Sequence, residues 1–533
     1  MNDVTTSVIL LTFIKHLKNT TAINIILLLI LSAIWSTTKM KATLSILLLI
    51  FSFSTLTAQD NATKNIASTI KSESLINTVK YLSSPELEGR LSGSKGYFKA
   101  AQFMADEFKS LGLLPVENNN YFQSFEIELN EIIPPSELSI IVNGLNKKYK
   151  LGRDYVYRGF SGSGDFNAEV VFVGYGMSIP AEGYDDYNEI DVKDKWAMMF
   201  KYSPSWRVND TINWSGTSIR GKAHTALKHG AKGVLFVSLP NSENPQKPIG
   251  SVLAGEEEHL ENIPLIHIDI PVADEILSAS GFNLSMLQTI IDSTKSPNSI
   301  RTKTHIKTIT NTVYNKNAVT VNVVGFLEGN DEVLKNEYIV VGGHLDHVGQ
   351  QAGEIYFPGA NDNASGSAGV LELARAFSKI KDELKRSIIF VLFASEEAGL
   401  YGAQHYVNNP PFPLEKTVAM INMDCIGYGD SIRVGNGLSA PNLFEIAKQN
   451  DKLYTKMMVY NTWKGGGADA TPFHRKSIPS LYFVTTNSYD HLHWLTDTYE
   501  TLNPELFERL VQLVFYTVND IASGDYKKEE VID

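Results

Sequence analysis

Four apolar runs constrain the fold of this chain more than anything else in it: EYIVVGGH (337–344), RSIIFVLFAS (386–395), TVAMINMD (417–424) and PSLYFVTT (479–486). Each is continuous rather than alternating, which is the pattern of a strand buried on both faces. Helical patterns lie between them, such as SGSAGVLELARAFS (365–378). The order of strands and helices predicts an α/β fold, with a mostly parallel central sheet flanked by helices. NAVTVNVVGFLEG (317–329) opens this block of strands, and SIRVGN (431–436) adds a short one.

In open α/β sheets, ligands bind outside the carboxyl ends of the strands. Polar groups recur there. His344, Asp346 and His347 follow the first run, the adjacent Glu396 and Glu397 the second, and Asp424 the third. Asp362 sits in the Gly-rich loop PGANDNASG (358–366), and SYDHLHWLTDTYE (488–500) supplies His491, His493 and Asp497. Each alone has an ordinary role as a turn, cap or surface residue. Together they aim like charges at one cleft, which is unfavourable unless cations hold them. Neighbouring side chains diverge in either helix or strand, so Glu396 and Glu397 are expected to do different jobs. The chain has one cysteine, Cys425, which excludes an internal disulfide and a cysteine-based zinc site. Its apolar context, AMINMDCIG, reads as that of a buried structural thiol. His, Asp and Glu ligands suit zinc, manganese or cobalt, and such a set can hold two ions if one carboxylate bridges them.

The 533 residues are too many for one ordinary core, so several domains are expected. A net charge of −12 argues against nucleic acid as a partner. Two apolar stretches open the chain, at 22–35 and 42–58. The second follows Met40–Lys41 and ends in LTAQD, which reads as a signal peptide cleaved after Ala58, with Met40 a candidate start. Residues 1–58 are therefore expected to be a leader. The mature chain is expected in the periplasm or outside the cell, with no stable membrane partner after cleavage. Residues 60–160 carry helical patterns and two strands. Residues 161–310 change texture to short β runs with one clear helix, GKAHTALKHGAKG, and read as a separate small α/β or β-rich insert. Residues 311–525 hold the strand–helix block, and 526–533 form a polar tail expected to be solvated.

The motifs GGHLDH, PGANDNASG, SEEAGLYG, NMDCIG and HWLTDT, in this order and spacing, resemble those of the secreted bacterial di-zinc aminopeptidases. That family shares its fold with glutamate carboxypeptidase and the transferrin receptor. The resemblance covers about 318–522 and extends more weakly to 75–127, through ELEGRLSGSKGYFKAAQFMADEFKSLGLLP and YFQSFEI. The insert is similar to a protease-associated domain, on YDDYNEIDVKDKWAMMF and KAHTALKHGAKGVLFV. The resemblance implies a zinc exopeptidase fold and a peptide substrate. It implies one zinc held by His344, Asp362 and Asp424, and a second held by Asp362, Glu397 and His493. Asp346 would orient His344, and Asp362–Asn363 would be a cis peptide. Glu396 would be the general base for a water bridging the two ions.

The sequence departs from the family in the run Leu492–His493–Trp494–Leu495, where a tyrosine and a Thr-Pro pair are usual. Asp497–Thr498 at the expected distance favours His493 over His491 as the last ligand, and Tyr489 stands near the missing tyrosine. Ala468–Asp469–Ala470 replaces a Ser-Asp-His motif. These changes spare the ligands and bear on the substrate pocket. The competing functions are a dipeptidase or glutamate-type carboxypeptidase, a one-zinc glutaminyl cyclase, and a dead peptidase serving as a receptor. The short stretch after His493 disfavours the carboxypeptidase, the insert disfavours the cyclase, and the intact ligand set disfavours the receptor.

Overall fold

The computed structural model describes residues 62–532 apart from 117–119, 143–144 and 208–217. The expected leader and its cleavage site at Ala58 lie outside the described residues. Ala67–Asp533 forms one compact unit. Among the described residues, no helix is long and apolar enough to cross a membrane.

In chain order the elements that position the site are α1 (Ser72–Leu82), α2 (Lys95–Ser110) and β1 (Phe122–Val142). Next come β2 (Tyr155–Tyr157), β3 (Gly164–Phe172), β4 (Trp196–Phe200), α3 (Ile219–Lys228), β5 (Gly233–Val237) and β6 (Leu265–Ile268). Then follow α4 (Ile270–Leu277), α5 (Leu284–Thr294), β7 (Ile300–Leu327), β8 (Tyr338–His344), α6 (Gly366–Ser378) and β9 (Ser387–Phe393). The chain ends with α7 (Tyr401–Asn408), β10 (Thr417–Met423), β11 (Ile432–Gly435), α8 (Pro441–Asn450), β12 (Ser480–Thr485) and α9 (Pro504–Ala522).

The central sheet runs β1–β7–β9–β8–β10–β12–β11. Its core strands β9, β8, β10 and β12 are parallel, while β7 and β11 pair antiparallel at the flanks. The continuous apolar runs follow from burial of both faces. Val340, Ile389, Val391 and Met420 pack with Ala403 and Tyr406 of α7 on one side. On the other, Phe390 meets Phe377 of α6, which meets Phe515 of α9.

Residues 155–310 build a second parallel ladder, β3–β4–β5–β6, closed by β2 antiparallel to β6. Helices cover both of its faces. Ala223 and Ala226 of α3 pack on Val171, Ala197 and Val234. Ile276 of α4 and Leu287 and Ile291 of α5 pack on Phe172, Met198 and Leu235. The inserted region is thus α/β rather than β-rich, with two helices beyond the one clear in the sequence. Helix α4 follows the apolar run IPLIHIDI directly, where Asp269 caps a helix at Ile270 and Pro271 stands in its first turn, and α5 begins at its own cap, Asn283. Strand β7 crosses the boundary expected near 310 without a break, pairing with β3 at Thr308–Phe166 and with β9 at Val324–Val391. The two layers therefore share a strand. The expected solvated tail is instead docked: Tyr526 is buried, Glu529 accepts from the Asn442 and Leu443 amides that open α8, and Ile532 N donates to Ser439 O.

Candidate metal centre

The parallel registers bring the functional groups to one edge. His344 lies opposite Phe393 across β8 and β9, and Gly342 opposite Asn422 across β8 and β10. His344, the Glu396–Glu397 pair after β9 and Asp424 after β10 therefore emerge side by side. Asp362 enters from the segment 360–365 leading into α6, across a cis Asp362–Asn363 peptide. His493 comes from the loop after β12, with a left-handed backbone of φ 58°.

Two clusters result. His344 Nε2 lies 3.3 Å from Asp362 Oδ1 and 3.5 Å from Asp424 Oδ1. His493 Nε2 lies 3.2 Å from Asp362 Oδ2 and 2.9 Å from Glu397 Oε2. Asp362 thus turns one oxygen to each cluster. Asp362 Oδ2 and Asp424 Oδ1 are buried with no hydrogen bond. Ligand atoms about 2.0–2.1 Å from a tetrahedral zinc sit about 3.3 Å from one another. The observed separations are close to those edges, so the donor set fits two cations sharing Asp362.

The charge pattern agrees. Burial alone would lower His344 and His493, but the facing carboxylates, Glu396 and Asp424 for the first and Glu397 and Asp362 for the second, push both well above the ordinary histidine range. Burial opposes ionisation of Asp362, yet His344 and His493 hold it well below the usual carboxylate range. Glu396 goes the other way. Burial, opposed by His344 and reinforced by Asp469, Asp424 and Glu397, pushes it well above that range. Its Oε2 stands 4.0 Å from His344 Nε2, at the rim rather than inside either cluster. The neighbouring glutamates do point to different places.

Asp346 differs in detail from its expected role. The backbone carbonyl of Asp346 sits 3.1 Å from His344 Nδ1, while its carboxylate is 3.7 Å away. That carboxylate accepts the backbone N–H groups of Glu396 at 3.1 Å and Glu397 at 3.4 Å. Asp346 therefore fixes the glutamate loop. His491 lies apart from the clusters, bonded through Nδ1 to Thr496 Oγ1. Cys425 is buried, and burial together with Asp424 raises its thiol well above its ordinary pKa, consistent with an inert side chain.

Several supporting residues were not assigned roles from the sequence. His347 is fully buried, with Nδ1 2.9 Å from Glu397 Oε1 and 3.6 Å from Asp362 Oδ2, so its ring nitrogen lies within reach of the same set of possible ligand atoms as Asp362, Glu397 and His493. Asp497 accepts the Asn361 and Asp362 amides and so fixes the bridging residue. Arg90 is fully buried beneath the site, donating to the carbonyls of Leu82, Leu345, Pro358 and Gly359. It ties the His344 loop to the Asp362 loop. Asp469 is buried with both oxygens unpaired, and burial raises its pKa far above normal. Tyr489 is half exposed, and its hydroxyl lies 3.0 Å from that of Tyr482. The signal for Arg90 was present in ELEGRLSGSKG, a polar Gly-rich loop between two amphipathic helices, but its partners are backbone atoms that no side-chain pattern reveals.

Residues 322–518 match the model of Peptidase family M28. An aminopeptidase of Pseudomonas aeruginosa is 29% identical over 293 residues, covering 54% of this chain and 46% of that protein. The chain spans about half the length of the curated relatives it matches. Among solved structures, a peptidase M28 precursor from Shewanella amazonensis superimposes with a TM-score of 0.62 at 19% identity, over 89% of this chain and 98% of that one. A zinc aminopeptidase from Bacillus subtilis superimposes with a TM-score of 0.58 at 20% identity, over 87% and 98%. At such identities these likenesses speak for the fold.

Proposed function

From the premise that residues 322–518 are a peptidase family M28 domain, we propose that this chain is an exported zinc aminopeptidase that removes N-terminal residues from peptides. The observation that carries the reading is Asp362, whose two carboxylate oxygens each face a different set of possible ligand atoms. His344, Asp362 and Asp424 would hold one ion, and Asp362, Glu397 and His493 the other. Zinc at these positions would polarise the scissile carbonyl and acidify a water.

The remaining chemistry belongs to the chain. Glu396 takes the proton from the attacking water and returns it to the leaving amine. Burial opposes the ionised form of Glu396, which counters the lowering that nearby cations would bring and keeps the carboxylate basic enough to take a proton. Asp346 holds Glu396 in place through the loop amides. Burial of this machinery strengthens each electrostatic contact on the reacting atoms. The names of the Pseudomonas and Bacillus relatives support aminopeptidase over carboxypeptidase action. The leader supports export, and the inserted region is read as a protease-associated domain.

The test is a panel of aminoacyl-p-nitroanilides given to the chain starting at Gln59, stripped of metal and then reloaded with zinc. Cleavage that appears only with zinc and fails on N-acetylated substrates supports the reading. Cleavage of blocked peptides from the carboxyl end would replace it with a carboxypeptidase. Sequencing the N-terminus of the protein recovered outside the cytoplasm checks export, and retention with residues 1–58 intact would refute it.

A further inference from the structure

The strand end GGHLDH carries two histidines, and the ligand sets given above use only His344. His347 lies just beyond β8, which ends at His344. Its backbone is pinned, the N–H donating to Arg90 O at 3.1 Å. Its ring lies against Gly359, where φ is +58° and an added Cβ would stand 2.5 Å from ring atoms Cγ and Cδ2. The ring therefore fills space that a glycine leaves open. It meets the His493 ring edge-on, with centroids 5.4 Å apart and planes at 77°. His493 is held in turn by the inserted region, its carbonyl accepting the Gly250 N–H at 2.9 Å.

The two ring nitrogens of His347 face different surroundings. Nε2 is buried with no hydrogen-bond partner, so the polar contacts of the ring run through Nδ1. Nδ1 lies 2.9 Å from Glu397 Oε1, a contact that an N–H donated to the carboxylate would also explain. The second approach tells the two roles apart. Nδ1 stands 3.6 Å from Asp362 Oδ2, and His493 Nε2 approaches that same oxygen at 3.2 Å. Asp362 Oδ2 is thus flanked by two histidine nitrogens, yet it is buried with no hydrogen bond. A histidine that only supported Glu397 would have no need to approach Asp362. One atom from each of His347, Asp362, Glu397 and His493 can be chosen so that all four lie within 4.8 Å of one another. Four donors complete a tetrahedral zinc shell.

We propose that His347, through Nδ1, is a fourth protein ligand at the site of Asp362, Glu397 and His493. This rests on the zinc centre of the proposed function and not on its aminopeptidase activity. The two sites are then unequal. His347, Asp362, Glu397 and His493 supply four donors, while His344, Asp362 and Asp424 supply three and leave a position open. The donor count, rather than burial, sets the order of retention, since the His493 side chain is partly exposed. The four-donor site keeps its ion the longer, and the three-donor site gives its ion up first.

Dialysis of the zinc-loaded chain against rising chelator, with bound zinc counted by mass spectrometry, reads this without turnover. The wild type should lose its two ions in two steps. Asp424→Asn, which damages the three-donor site, should keep the tighter ion. His347→Asn and His347→Asp then divide the two roles. Asparagine can place an amide N–H where Nδ1 stands, so it can donate to Glu397 but brings no nitrogen lone pair. Aspartate brings a carboxylate oxygen, which can ligate but, ionised, cannot donate. Affinity for the tighter ion should fall more than about 100-fold in His347→Asn, beyond the 10–100-fold typical of a supporting partner, and should largely return in His347→Asp. Retention in His347→Asn, or loss in both variants, overturns the proposal. If a variant does not fold, the crystal structure of the zinc-loaded wild type decides. His347 Nδ1 about 2.0–2.1 Å from an ion supports the proposal, and Nδ1 bonded to Glu397 alone overturns it. A wild type that takes up no zinc overturns both the proposal and the metal centre. Two ions bound with no aminoacyl substrate cleaved overturns the functional reading, while the dialysis still decides the role of His347.

Discussion

Replacing Arg90 with methionine should destabilise the fold by about 3–5 kcal/mol, the range for breaking a buried charged network. The guanidinium is completely enclosed and donates to four backbone carbonyls from three segments, 82, 345 and 358–359. Each buried acceptor left bare costs about 1–3 kcal/mol, and the thioether fills part of the vacated volume without replacing a donor. The substitution also removes a positive charge that Asp362, Asp497, Asp346 and Glu397 all feel. Against a total stability of about 5–15 kcal/mol, the loss is large. Urea unfolding followed by tryptophan fluorescence, at fixed zinc, measures it. Arg90→Lys keeps the charge but not the four-way fork, and should fall between the two. A loss below about 1 kcal/mol in Arg90→Met would mean that the carbonyls find other donors and that the bridging role assigned to Arg90 is wrong.

Gly89→Ala should be comparably harmful: its φ is +69°, and an added Cβ would stand 2.3 Å from Gly349 O, so soluble yield and urea midpoint should both fall, and an unchanged midpoint would contradict the tight docking of this loop. Deleting residues 525–533 should cost about 2–4 kcal/mol, since α8 loses the Glu529 cap and the Tyr526 side chain its burial, whereas a solvated tail could be removed without effect. Burial, with Arg158 nearby, lowers Lys201 to about 7. The unfolded chain then binds the extra proton between that value and the ordinary lysine pKa, so this group's contribution is lost as pH falls through about 7 and grows as pH rises toward 10. Wild-type stability should therefore gain about 1–3 kcal/mol relative to Lys201→Met from pH 7 to pH 9, and a constant difference would refute the shift.

The central sheet was legible because both of its faces are covered, which forces continuous apolar runs whose ends announce themselves with His, Asp and Glu. The metal-ligand candidates came from the same pattern, and the structure brings His344, Asp362, Glu397, Asp424 and His493 into contact. Arg90 and Asp497 stayed hidden because they act on backbone groups, so nothing in their spacing marks them. The first half of β7 stayed hidden for another reason. Its buried stripe is largely threonine (Thr302, Thr304, Thr308 and Thr310 around Ile306), so its period of two carries little hydrophobic contrast. Helix α4 was masked by an apolar strand that runs straight into its Asp269 cap. The docked tail stayed hidden because its contacts, Tyr526 with Arg386, Glu529 with the start of α8 and Ile532 with Ser439, join residues far apart in sequence.

The most direct test of the central claim is Glu396→Gln, assayed beside the wild type for zinc content and for kcat/KM on leucyl-p-nitroanilide. Glu396 stands at the rim of the clusters and is not among the proposed ligands, so zinc should remain at two ions per chain in both proteins. Removing a group that moves the proton should lower kcat/KM by about 10²–10⁴, mostly in kcat. A variant that keeps its zinc and still cleaves at the wild-type rate would contradict the assignment of the base, and a variant that loses zinc would contradict the separation of roles between Glu396 and Glu397.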